Sequence, residues 1–330
     1  MASWADGAVN ELIAASGGDH TTIASFEGAH DGETPTNGTN CQGRVKGAIT
    51  GALTYWSGWQ SGQNATTRIV ITAETGSEAD GVNDASGDDA ILNDDRWYVN
   101  EGTNAIYLDI TKIEVNIDAN YFLNVVCDAG GEIRVAKCVI RDGDGYGVTA
   151  SGNDAAVTIY VGGCLFKDAG ENTYKSIILN EDADAVINVF NCTLIGSNGI
   201  DGHGALSSRT SGAVVNSKNC ALANNTNDVN TKNGGVVNET TNASEDDGDI
   251  AITDGVDFTE PSADNYTAVA SGGLDGAGTA IADSWFTTLC PTDFAGTAWA
   301  TPPSIGCFEV AGGALPAAAP KRTSHILFLR

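Results

Sequence analysis

The sequence predicts an all-β chain wound into a parallel β-helix, and two observations predict it. Four stretches superimpose on one another around a cysteine: Ile133–Ile140, Ile159–Phe166, Ile187–Leu194 and Val215–Leu222. Cys138, Cys164, Cys192 and Cys220 fall 26, 28 and 28 residues apart. Repeats of this length, with β-branched residues at fixed offsets, are the mark of a solenoid. The second observation is the period inside each unit. Five and three residues before the cysteine stand Ile133 and Val135, Ile159 and Val161, Ile187 and Val189, Val215 and Ser217, with mixed residues between. That alternation is a strand with one buried face.

The alternation then slips by one, because the next inward residues are the cysteine itself and the residue two beyond it. A one-residue bend at Lys137, Gly163, Asn191 or Asn219 accounts for the slip. Asn and Gly accept the left-handed backbone that such a corner needs. Each unit has room for about three strands of roughly five residues. Successive turns stack about 4.8 Å apart, so the interior is expected to hold an Ile/Val ladder, a Leu/Phe ladder and a cysteine ladder. Helical solenoids require a 3.6-residue period and good helix formers, whereas Gly, Asn, Thr, Asp and Val dominate here.

Along the chain, Met1–Ser16 reads as a short amphipathic helix with Ser3 as N-cap and Gly17 as stop. It has no basic residue before Arg44 and is not expected to be a secretory signal. Residues 1–65 are expected to form an N-terminal cap, with Val45–Trp56 as a second possible helix. Arg68–Thr72 is the first good strand, and the β-helix is expected over residues 66–255. Residues 256–310 are the expected closing cap, with Trp285, Phe286, Trp299 and Phe308 plugging the last rung. Ala311–Pro320 is a Gly/Ala/Pro linker. It leads to a basic, apolar decapeptide, Lys321-Arg322-Thr323-Ser324-His325-Ile326-Leu327-Phe328-Leu329-Arg330.

Three motifs carry a family resemblance. Val186–Ile200 (V-I-N-V-F-N-C-T-L-I-G-S-N-G-I) reads like a coil of right-handed parallel β-helix proteins of the pectin-lyase-like kind. Asp257–Pro261 followed by Asn265-Tyr266 resembles their exit segment, with Glu260 in place of the usual Asp. Asp293-Phe294-Ala295-Gly296 and Ser304–Glu309 resemble their closing segment, with Ser304 in place of Asp. The resemblance spans about residues 65–310 and implies a right-handed coil. It implies no single activity, because this fold hosts lyases, hydrolases, adhesins and virion spikes.

Composition narrows the function. The 330 residues carry 16 basic and 43 acidic side chains, a net charge of −27. Nucleic acid is therefore not an expected partner. No run is long enough for a membrane helix. Three of the basic residues, Lys321, Arg322 and Arg330, sit in the acid-free decapeptide. Together with Ile326, Leu327, Phe328 and Leu329 they read as a docking element. The repeat cysteines are expected to be buried thiols, since stacked parallel neighbours fit disulfide torsions badly. Cys41, Cys127, Cys290 and Cys307 are left open.

Candidate chemistry is sparse. β-Helix glycan-cleaving enzymes use paired carboxylates, and the candidates are Asp142, Asp144, Asp168, Glu181, Asp182 and Asp201. His203, in Gly202-His203-Gly204, resembles an element of polygalacturonase-like hydrolases, but their other elements are absent. A turn histidine is the better reading. Asp142-Gly143-Asp144-Gly145 looks in part like a Ca²⁺ loop, without the remaining ligands. No other metal or cofactor is expected. Glu245–Asp249 reads as a solvated charge run.

The expectation is therefore a non-enzymatic structural protein of a bacteriophage virion, either a capsid decoration or cement protein or a tail spike or fibre. It would be a homotrimer assembled in the bacterial cytoplasm, docking on a capsid or tail protein through residues 321–330. A glycan-binding or glycan-cleaving depolymerase is the first alternative. A bacterial surface adhesin is the second.

Overall fold

A computed structural model describes residues 4–310 apart from 37, 51–52, 58–61, 80–89, 94–95, 103, 118–120, 144, 153–154, 170–174, 202, 246–249, 253–256 and 261–264. The expected linker and docking decapeptide, residues 311–330, lie outside the described residues. The chain is a parallel β-helix. Three parallel sheets of nine, seven and nine strands run along it, and each takes one strand per turn.

The stack begins earlier than the sequence suggests. Val9–Ala14 is a strand paired in register with Cys41–Lys46, which in turn pairs with Ile69–Ala73. Two expectations are corrected here. The segment read as an amphipathic helix is a three-residue 3-10 turn, Trp4–Asp6, followed by that strand. The stretch Val45–Trp56 contributes to strands of all three sheets and contains no helix among its described residues. The long helix of this region is instead α1, Ile23–His30, started by a Thr22/Ser25 capping box.

The ladders follow the repeat. One column of the first sheet runs Val9, Cys41, Ile69, Leu108, Ile133, Ile159, Ile187, Val215, Val237. The next inward column runs Glu11, Gly43, Ile71, Ile110, Val135, Val161, Val189, Ser217, Glu239. Its centre is β-branched and both its ends are carboxylates. One continuous core links Trp4 and Val9 at one end to Cys220 and Leu222 near the other.

The bend is where the repeat places it. Gly47, Lys112, Lys137, Gly163, Asn191, Asn219 and Thr241 all have φ between +48° and +67°. Each turns the chain from the first sheet into the second and brings the following residue inward. The cysteines stack there: Cys138 N–H reaches Cys164 Sγ at 3.5 Å. Each thiol points at main-chain carbonyls, as Cys192 does at Val161 and Phe190. All eight cysteines are buried and free. The cysteine column ends on Asn242, which accepts from Cys220 N–H at 2.9 Å and donates to Ser217 and Glu239.

The C-terminal segment does not plug the last rung. It runs back along the outside of the column. Phe258, Leu274, Ile305, Cys307 and Phe308 cover the outward residues Val139, Leu165, Ala221 and Ala243 of the second sheet. Trp285 and Phe286 rest on Tyr160, Gly162 and Phe190 of the first sheet. Where the flap lies on it, the second sheet is buried on both faces, as in Thr193–Ile195 and Ala221–Ala223. The corner asparagines hold this flap. Asn219 accepts from Thr279 N–H at 2.8 Å and donates to Thr279 O at 2.7 Å. Inside the flap, Asp293 accepts from Thr297 and Glu309 N–H, and Glu309 accepts from Ser304. The closing motif is therefore an internal staple.

A left-handed corner penalises a Cβ by about 1–2 kcal/mol, and a β-branched one by more. At the exposed corner Lys112 (φ 62), Lys112→Gly is expected to change stability by less than about 1 kcal/mol, because glycine's entropy offsets the relief. Lys112→Val is expected to cost about 1 kcal/mol or more. Urea unfolding of both variants checks this order.

Candidate functional site

Beside the ion network of Arg68, Asp109, Glu132 and Arg134 on the first sheet, the described residues gather polar chemistry at two further places. One was anticipated. At the entrance to the third sheet, successive turns bring Tyr146, Lys175, Ser176, Glu181, His203 and Arg209 together. Tyr146 opens the strand Tyr146–Ala150, Ser176 precedes Ile178–Asn180, and His203 precedes Leu206–Ser208. His203 is 3% exposed. Arg209 Nη1 lies 2.8 Å from its Nε2, and Ser176 Oγ lies 3.1 Å from its Nδ1.

Arginine can only donate, so Nε2 accepts and the ring proton sits on Nδ1. His203 then donates to Ser176, and Ser176 donates onward to Ser207 at 3.0 Å. A histidine that activates a serine must accept its proton; here the tautomer is the opposite one. Burial first, and then the charges of Arg209 and Lys175, push the His203 pKa down to about 4. The ring is neutral near pH 7. It acts as a strut between a cation and a hydroxyl.

The carboxylate candidates engage separate partners. Glu181 pairs with Arg209 at 2.9 Å, Asp201 with Lys232 at 2.9 Å and Asp168 with Lys167 at 3.4 Å. Asp182 accepts from Asp184 N–H at 2.8 Å. Lys232 holds the exposed Asp201 below the usual carboxylate range. Asp144 lies outside the described residues. Asp142 is in the strand Val139–Gly143, and its side chain lies outside the described residues. In the charge run, Glu245 accepts from Asn224 N–H, while Asp246, Asp247 and Asp249 lie outside the described residues.

Next to this corner, the outer face of the third sheet carries aromatic side chains that the sequence reading did not single out. Tyr55 and Tyr98 lie 5.6 Å apart, and Tyr98 and Tyr121 lie 6.4 Å apart. Tyr146 stands in register with Tyr121, and Lys175 Nζ sits 4.2 Å over its ring. Tyr55 is 53% exposed. The tyrosines come from different turns at irregular sequence spacing; register aligns Tyr55 with Tyr98 and Tyr121 with Tyr146, while Tyr98 and Tyr121 meet only through their rings. A cleft of about 300 Å³ in the flap is lined by Ile281, Phe286, Pro291 and Trp299. It supplies shape with little polar chemistry.

The second polar place was missed altogether. Inside the first turn, His20 and His30 converge on Glu11, and all three are buried. An inward glutamate hid this strand's alternation, and the histidines come from segments with no repeat.

Among known protein families, curated proteins and solved structures, none matches this chain.

The His203 geometry sets a pH dependence. Its folded pKa of about 4 lies below the ordinary 6.5. The unfolded chain therefore takes up a proton first as pH falls, and stability present above pH 6.5 is lost between about 6.5 and 4. In His203→Gln that contribution is expected to disappear. The stability difference between wild type and variant should change across this window and stay flat above it, measured by urea unfolding at stepped pH.

Proposed function

We propose that the chain is a non-enzymatic structural protein of a bacteriophage virion, in the position of a capsid decoration or cement protein or a tail spike or fibre. One observation carries this reading: a single continuous core runs from the first turn to the last. A rod packed this way transmits force along its length and has no hinge in its interior. The flap supports the same role by covering the apolar outer face of the second sheet with the chain's own residues. The acidic charge of −27 keeps such rods apart until a specific contact forms.

In this reading docking falls to Lys321, Arg322, Ile326, Leu327, Phe328, Leu329 and Arg330. An apolar decapeptide with basic ends suits the edge of an acidic neighbour's sheet. The strand Val236–Thr240 is such an edge, with a neighbour in the first sheet on one side only and Val236 43% exposed. Homotrimer formation and docking on a capsid or tail protein belong to the same proposal. Deleting residues 321–330 is expected to leave the circular dichroism spectrum and melting temperature unchanged. It should abolish co-sedimentation with the particle. Undiminished incorporation of the truncated chain removes the docking assignment.

The tyrosine stripe favours a second reading, a glycan-binding face. Exposed aromatic rings in a row stack on sugar rings, and Lys175 and Arg209 flank them. Tyr55→Ala with Tyr98→Ala is expected to lower retention on a polysaccharide column at least tenfold without unfolding the chain. No change in retention removes this reading. Release of reducing ends from the polysaccharide would instead place the chain among the depolymerases.

A further inference from the structure

We propose that Glu11, His20 and His30 form a binding site for one divalent transition-metal ion of the zinc type, buried at the N-terminal end of the column. Glu11 sits in the first turn, at the end of an inward ladder whose next members are Gly43 and Ile71. His20 comes from a strap that runs beside the same strand, with Ala14 N–H donating to His20 O at 3.0 Å and His20 N–H to Leu12 O at 3.1 Å. His30 ends α1. One side chain from each of three segments therefore meets at a single point.

The distances suit an ion. Glu11 Oε2 is 2.6 Å from His20 Nε2 and 3.0 Å from His30 Nε2. Ligands about 2.0–2.1 Å from a tetrahedral zinc stand roughly 3.3 Å apart. Entry of an ion therefore asks His30 to draw back from the Glu11 oxygen by about 0.3 Å and His20 by about 0.7 Å. The donor set, two imidazoles and a carboxylate, is one that zinc accepts with a position to spare. Its outer shell is also in place: His30 Nδ1 is 3.0 Å from Glu33 Oε2, the carboxylate–histidine arrangement that fixes the tautomer of a metal-bound imidazole. Trp4 N–H donates to the same Glu33 oxygen at 2.8 Å.

A purely hydrogen-bonded triad explains the geometry less well. It would aim two N–H groups at Oε2 and leave Oε1 of Glu11 with nothing. Oε1 is buried and has no hydrogen-bond partner among the described residues, and Glu11 is 4% exposed. An orphaned buried carboxylate oxygen is costly, and a cation held by both oxygens of Glu11 satisfies it. The surroundings are electronegative as well. Burial, followed by the charges of Glu33 and Glu11, raises the nearby Cys41 thiol.

Such an ion would tie α1 and the strap to the first strand. That strand is the terminal strand of the first sheet, covered beyond Leu12 by the strap, at the end where a parallel stack is most open to fraying. Metal and fold would be coupled, as in other structural sites.

The test uses the full chain, stripped with chelator and dialysed. Titration with Zn²⁺ by calorimetry is expected to show one ion per chain, and Co²⁺ should give the visible bands of a tetrahedral site. X-ray absorption of the Zn²⁺-loaded chain should show imidazole and oxygen neighbours and no sulfur. Glu33→Gln is expected to weaken binding about 10–100-fold, His20→Gln with His30→Gln to abolish it, and His203→Gln to leave it unchanged. Absorption spectra need no variant, so a misfolded variant does not block the test. No binding by the folded wild-type chain, sulfur in the first shell, or full binding by the double variant would each overturn the proposal.

Discussion

The structure depends on one backbone constraint, the left-handed residue that ends seven of the nine strands of the first sheet. A strand alternates strictly, so on its own it presents every second side chain to the core. One residue at φ near +55° breaks that parity. It allows the next strand to begin in phase with a new direction of the wall, and from Lys112 to Thr241 it does so on each successive turn. The ladders follow from this repetition. Residues that occupy the same phase meet vertically, and a residue type that suits one rung suits the next. Cys138, Cys164, Cys192 and Cys220 form a column in which each thiol meets the corner carbonyls, and Ile113 holds the same position one turn earlier.

The corner residue also decides what lies outside. Where no chain passes over the corner, Lys112 serves and reaches into solvent toward Glu78. Where the flap crosses it, the residue is Lys137, Gly163, Asn191, Asn219 or Thr241, and Lys137 and Thr241 reach the flap through Thr292 and Thr279. At Gly163 an added Cβ would meet Cys290 Sγ at 3.6 Å, an ordinary contact, so the left-handed φ of 61° is what favours glycine there. The asparagines bond both to each other and to the flap, with Asn219 donating to Asn191 at 3.1 Å. A single structural position thus bends the strand and anchors the segment that clothes the second sheet.

Much of this was legible because a solenoid writes its geometry into the sequence once per turn. The strand phase, the corner residues and the free thiols could all be read from four aligned units. The flap was half legible: its motifs showed in Asp293 and Ser304–Glu309, but their place beside the column was not encoded by any period. The first turns were misread for a definite reason. In Val9–Ala14 the inward positions are Val9, Glu11 and Ile13, and a buried glutamate turns an alternating strand into something resembling one helical face. In Val45–Trp56 two short strands and a corner lie end to end, and their combined apolar spacing imitates a helix. Local rules fail most often where a buried polar group has a task, and Glu11 is such a group. The His203 corner shows the converse. Its residues resembled a catalytic element, and only the side-chain partners reveal that Arg209 fixes the wrong tautomer for it.

The claim that everything else rests on is vertical register along one column. Gln42, Val70, Asp109, Arg134, Tyr160, Asn188, Asn216 and Asn238 occupy a single outward line of the first sheet. Spin labels on Gln42→Cys and Asn238→Cys, seven rungs apart, should give one narrow distance near about 34 Å by pulsed electron resonance. Moving the second label from Asn238 to Asn188 should shorten it by two rungs, about 10 Å. A broad distribution, or a distance that does not fall when the label moves, would contradict the stacked column.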